Sequence, residues 1–225
     1  MSRGGDAPAG GVESLYPFLY ESDASLSSVL EEVARSTAEK AAEIVALRTA
    51  VAERYDGPLT ECAGRMASLF AAGGRLLSFG NGGSSTDAQD VTQTFLDPPS
   101  GRPLPALSLS NDVAVLTALA NDIGFDVVFA RQIAALGHPG DIAFGISTSG
   151  GSENVVAGFA EASRRGLMTV GLAGYDGGRM SEAGTVDHLF VIPSSSVHRI
   201  QETQTTVYHV LWALTQRALA AGPVD

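Results

Sequence analysis

Three groups of residues in this chain combine side-chain types and spacings that chemistry could use. The run Ser147-Thr148-Ser149-Gly150-Gly151-Ser152 packs four hydroxyls into six residues, between an apolar strand-like run and a helical pattern. Glycines there let the backbone approach a ligand closely and turn its N–H groups inward. The helix that follows offers about half a positive charge at its N-terminus. Together these features would hold a phosphate without any lysine. A second Gly-rich turn, Asn81-Gly82-Gly83-Ser84, also stands between a strand-like run and a helix start. The same residues would also serve as plain Ser/Gly turns with helix caps, but two such loops after two strands favour the phosphate reading.

The third group is on helices. Gln201, Thr205 and His209 recur at four-residue spacing in the last helical stretch, so they share one broad face. Asp90 and Thr94 have the same spacing in the helix after the Asn81–Ser84 turn. His209 is suited to proton transfer near neutral pH, and Asp90 is suited to acid–base or ligand work. Thr94 offers only a hydrogen-bonding hydroxyl. Tyr208 and Trp212 read as packing residues, and Tyr175–Met180 as a Gly-Gly turn before a short helix.

Composition removes other functions. The net charge is −11 with 14 basic residues, of which only Lys40 is lysine. No basic stripe is present for the backbone of a nucleic acid, so no nucleic-acid partner is expected. Neither Gly-rich loop carries a G-K-[ST] or GxGxxG pattern, so no nucleotide cofactor is expected. One cysteine, Cys62, excludes an internal disulfide framework and a cysteine metal cluster. No apolar run reaches the roughly 18 to 20 residues of a membrane span, and no membrane partner is expected. With no export signal in the sequence, a cytoplasmic location is expected.

These groups need a scaffold. Residues 1–22 read as a flexible Gly/Ala/Pro lead, and residues 23–222 as one domain. Helical periodicity covers about 24–56, Gly57-Pro58 is expected to end that helix, and a second helix covers about 59–72. These two helices are expected to pack at a subunit interface. Short apolar runs at 75–80, 105–110, 140–147, 168–174 and 187–193 alternate with helices, the last over about 198–219. That alternation predicts an α/β fold, a doubly wound five-stranded parallel sheet flanked by helices. Ligands in such sheets sit outside the carboxyl ends of the strands, where both loops fall.

The motifs "GNGGSSTDAQ", "AND" at 120–122, "GISTSGGSENVV", "AGYDGGRM" and "HRIQETQTTVYHVL" occur in order. Together they resemble the sugar isomerase (SIS) domain family, in its phosphoheptose isomerase branch, which is itself similar to the DnaA initiator-associating protein. The resemblance runs from about residue 30 to 219. It implies isomerisation of sedoheptulose 7-phosphate, or a related ketose phosphate, to an aldose phosphate through an enediol. It also implies a homotetramer with active sites at subunit interfaces, and often zinc.

By position, Asn81, Gly82, Gly83 and Ser84 would line the substrate pocket, and Ser147, Thr148, Ser149 and Ser152 would hold the phosphate. Asp122 falls at a substrate-contacting position. Gln201 and His209 match a substrate or metal ligand and a catalytic ligand. The family's first helix usually reads "DAQHFAAEL", whereas this chain reads "DAQDVTQTF". Asp90 thus replaces the expected histidine and Thr94 the expected glutamate, and Arg102 is a candidate for the family's arginine. The catalytic candidates are His209, Asp90 and Gln201, and the same three form the candidate metal set. The substitutions leave two rival readings open: a phosphosugar-binding or regulatory protein without catalysis, and a protein-interaction scaffold.

Overall fold

The computed structural model describes residues 26–222, so the lead expected over residues 1–22 lies outside the described residues. Two compact units divide between Val45 and Ala46. The described part of the first, residues 26–45, is helical and mostly exposed, with Leu30 and Val33 at its surface. The sheet and every candidate site residue belong to the second.

In chain order the elements are α1 (Leu26–Ala71), β1 (Leu76–Gly80), α2 (Gly83–Leu96), β2 (Ala106–Ser108) and α3 (Val113–Asp122). A 3-10 turn (Phe125–Val127), α4 (Val128–Leu136), β3 (Ile142–Ser147), α5 (Glu153–Arg164) and β4 (Met168–Gly174) follow. The chain then forms α6 (Gly178–Glu182), β5 (His188–Ile192) and α7 (Val197–Ala221). All strand pairs are parallel, in the order β2-β1-β3-β4-β5.

The break expected at Gly57-Pro58 does not occur: α1 runs through Pro58. The reason is packing. Val51, Tyr55, Leu59, Cys62, Met66 and Phe70 are all buried and recur every three or four residues across the proline. Gly57 and Pro58 lie on the exposed side, where the lost N–H bond costs least, and burial of the stripe outweighs it. The Tyr55 hydroxyl then accepts from the Val191 N–H at 3.0 Å and donates to the Val191 carbonyl at 3.3 Å, joining α1 to β5. Burial pushes the Cys62 thiol up to about 12, so it stays protonated and inert.

Strands β1, β3 and β4 are buried at every position, as continuous apolar runs covered on both faces must be. One face carries the core of α1, α2 and α7, and the other that of α4, α5 and α6. Ser78 of β1 donates to the Ala88 carbonyl at 2.7 Å and shares a 2.7 Å hydrogen bond with Thr92, which seats α2 on the sheet.

The strand order reverses beside β1: the chain leaves β1 toward β2 on one side and returns to β3 on the other. Connections that diverge in this way leave a crevice outside the strand ends. Gly80 of β1 pairs with Ile146 of β3, so both Ser/Gly loops open at this switch point.

Replacing exposed Pro58 with alanine restores the missing N–H bond. Pro58→Ala should stabilise the protein by about 1–2 kcal/mol, the helix gain less the added unfolded-state entropy. Urea unfolding reads it, and a lowered midpoint would show that the helix depends on the proline.

Candidate active site

The loop after β3 is shaped by its neighbours. Gly150 has φ +62°, and a side chain there would overlap the Gly177 carbonyl. The Gly150 carbonyl accepts from the Met180 N–H at 2.9 Å, and the Thr148 carbonyl from the Gly174 N–H at 3.0 Å. The Gly-Gly turn before α6 is therefore the clamp that closes this loop. Ser152 is the N-cap of α5 by position, but its side chain does not cap the helix. Its hydroxyl meets that of Ser147 at 3.1 Å instead, and Ser147 meets Ser149 at 3.5 Å. Three hydroxyls thus converge over an uncapped helix N-terminus, an arrangement suited to phosphate.

The two loops are tied together. The Asn81 side-chain amide donates to Asn154 Oδ1 at 2.8 Å, and the Asn154 amide donates back to Asn81 Oδ1 at 2.9 Å. Asn154 is buried on α5. Asn81, expected to line the pocket, is therefore also the link that fixes one loop against the other.

The second half of the site is a seam between α2 and α7. The Tyr208 hydroxyl donates to Asp90 Oδ2 at 2.6 Å across a separation of 118 residues. A side chain at Gly83 would collide with Gln201 Nε2, across the same separation. The two helices therefore run parallel in constant register. The missing side chain at Gly83 leaves the space that the Gln201 amide occupies at the start of α2, and Ser84 beside it is buried. His209 Nε2 lies 3.5 Å from Asp90 Oδ2, with both side chains about half exposed. Thr94, one turn beyond Asp90, is buried.

The same register places Asp87 alongside Thr205. Among the described residues Asp87 Oδ2 and both amide atoms of fully buried Gln204 have no hydrogen-bond partner within the chain. Burial, and then the charge of Asp90, push the Asp87 carboxyl up to about 6. Asp87, Tyr208 and Asn154 were not apparent as site residues from sequence. Only the three-residue spacing of Asp87 and Asp90 offered a signal.

Other candidates stand apart. Asp122 ends α3, is exposed, and accepts from its neighbour Asn121 at 2.7 Å. The backbone of Arg102 is bracketed by Gln216 at 3.1 and 2.9 Å. That places it ~12 Å along α7 from Tyr208.

The zinc set expected from the resemblance, Asp90, Gln201 and His209, fits the ion poorly. Zinc sites normally use at least three firm histidine, cysteine or carboxylate donors, and among the described residues no group of three such side chains is assembled. Asp90 Oδ2, the oxygen facing His209, already accepts the Tyr208 hydroxyl.

A parallel sheet with a hydroxyl-lined anion loop at the switch point, and a carboxylate–histidine contact on the α2–α7 seam, has the parts of a phosphosugar-type α/β site. A SIS domain family model matches residues 39–174. Phosphoheptose isomerase of Aquifex aeolicus is 40% identical over 176 residues, covering 77% of this chain and 91% of that protein. The phosphoheptose isomerase of Halorhodospira halophila is 46% identical over 165 residues, covering 72% and 83%. The solved phosphoheptose isomerase of Neisseria gonorrhoeae superposes with a TM-score of 0.76 at 32% identity, covering 82% of this chain and 99% of that one. The chain belongs to the SIS domain family, in its group of phosphoheptose isomerases.

Because the folded state holds the Asp87 proton more tightly than the unfolded chain, stability falls as pH rises from about 4 through about 6. Asp87→Asn removes the charged form. It should stabilise the protein at pH 7 by about 1–2 kcal/mol after discounting for solvent, with the advantage gone below about pH 4. Denaturant unfolding at pH 7 and pH 4 measures both, and an equal change at the two values would contradict the burial argument.

Proposed function

We propose that this chain is a phosphosugar aldose–ketose isomerase that converts sedoheptulose 7-phosphate, or a closely related ketose phosphate, to the aldose phosphate through an enediol. The observation that carries this reading is the convergence of the Ser147, Ser149 and Ser152 hydroxyls over the N-terminus of α5, in a chain that also sets Asp90 beside His209. The phosphate is held by Ser147, Thr148, Ser149 and Ser152 at the N-terminus of α5. Gly82 and Gly83 let the backbone of the first loop approach the sugar, and Asn81 and Ser84 fix that loop. Gln201, held at the start of α2, orients the sugar.

The reaction needs a base that takes the proton from C1 and returns it at C2, and an acid that protonates the C2 carbonyl oxygen and then takes the C1 hydroxyl proton as the aldehyde forms. Asp90 takes the first role and His209 the second. Thr94 favours the rival reading of binding without turnover, because a buried hydroxyl cannot replace a glutamate as base.

The enzyme works as a homotetramer in the cytoplasm, with subunits meeting near the site. Supporting this, α3 is apolar yet buries no residue, and Val113 at its start and Ile123 and Phe125 just beyond its end have more than half their surface exposed. Such a surface is the kind another subunit covers. No helix among the described residues is long and apolar enough to cross a membrane.

Incubation with sedoheptulose 7-phosphate in deuterated water should give aldose phosphate and deuterium at C1 or C2. Asp90→Asn should lower that rate at least ~100-fold. Phosphosugar binding without exchange would replace this reading by the binding one. Because the donors suit zinc poorly, we also expect turnover to stay within about twofold after exhaustive chelation, with substoichiometric metal in the purified protein by mass spectrometry. A chelation-sensitive enzyme with one tightly bound metal would contradict this.

A further inference from the structure

Tyr208 reads in sequence as a packing residue, yet its hydroxyl makes the shortest polar contact in the α2–α7 seam. The ring is buried, at 2% exposure, in the same core as Val207 and Leu211. Its hydroxyl donates to Asp90 Oδ2 at 2.6 Å. The next residue, His209, approaches the same oxygen at 3.5 Å, and the two rings lie 4.9 Å apart. Both contacts fall on Oδ2, so among the described residues Oδ1 carries no bond within the chain. Asp90 is half exposed, and a half-exposed carboxylate without a fixed partner would rotate among several orientations.

We propose that Tyr208 is a positioning residue for the reaction: its hydroxyl pins the Asp90 carboxylate beside His209, so that Oδ1 is presented to the substrate and the acid–base pair is held without a metal. This rests on the isomerase reading of the same site. A buried tyrosine has one hydroxyl with one fixed direction, and the core around it sets that direction. Asp90 and His209 come from different helices, so their separation depends on the register of the seam. Tyr208, next to His209 in sequence and bonded to Asp90, ties that separation to a single backbone step. Burial, and then the hydrogen bond to Asp90, hold the phenol above its ordinary range, so it remains a donor throughout neutral pH. The hydroxyl also occupies the lone-pair region of Oδ2 that a cation would need, in keeping with the poor fit to zinc.

The test compares turnover of sedoheptulose 7-phosphate by the wild type, Tyr208→Phe, Asp90→Asn and the double variant. Phenylalanine fills the same core space, so the fold is retained, and thermal unfolding verifies this. Tyr208→Phe should lower kcat roughly tenfold to a hundredfold, the usual cost of losing a group that orients a functional ligand, with KM within about twofold. Because Tyr208 acts through Asp90, the double variant should be no slower than Asp90→Asn alone. Wild-type kcat in Tyr208→Phe, or a double variant slower by the full Tyr208→Phe factor, overturns this inference while leaving the isomerase reading intact. An inactive wild type overturns both.

Discussion

The parallel register of α2 and α7 is the constraint on which the site depends. Two contacts across the same sequence separation, Gly83 with Gln201 and Asp90 with Tyr208, set that register. A helix rises about 1.5 Å per residue, so a slip of one residue would draw Asp90 away from both Tyr208 and His209. The register is itself held from below. Ser78 and Thr92 seat α2 on β1, while Ile200, Val207 and Leu211 bury α7 in the same core. Residues far apart in the chain are thus placed within hydrogen-bonding range by packing that serves the fold as well.

The anion loop is fixed by a different set of forces. Its backbone is clamped by the Gly-Gly turn before α6, and its position relative to the first loop is set by the reciprocal Asn81–Asn154 pair. Both loops leave neighbouring strands at the point where strand order reverses. In the proposed reaction the sugar reaches from the anion loop to the α2–α7 seam, although the helices that carry the two lie on opposite faces of the sheet.

Much of this was legible in the sequence. Strands β1, β3 and β4 announce themselves as continuous apolar runs, because strands covered on both faces need no alternation; β2 and β5 lie at the edges and are only partly buried. The Ser/Gly loops were legible because hydroxyls and glycines after a strand have few other uses. What was hidden depends on tertiary contact. Pro58 reads as a helix end, and only the burial stripe from Val51 to Phe70 shows otherwise. Tyr208 looks like core, and mostly is, since nothing in its neighbours along the chain reveals Asp90 across the seam. Asn154 and Asp87 are equally ordinary in sequence, one being a first-turn residue of α5 and the other a polar residue one turn into α2. Their roles follow from what the fold places against them.

The central claim is that one phosphosugar spans the crevice, with its phosphate over Ser147–Ser152 and its carbonyl end at Asp90 and His209. A crystal structure of the protein soaked with sedoheptulose 7-phosphate tests it directly. Phosphate oxygens should lie within hydrogen-bonding distance of the Ser147, Ser149 and Ser152 hydroxyls, and C1 and C2 beside Asp90 Oδ1. Phosphate bound elsewhere, or a sugar whose C1 and C2 lie away from the α2–α7 seam, would contradict it.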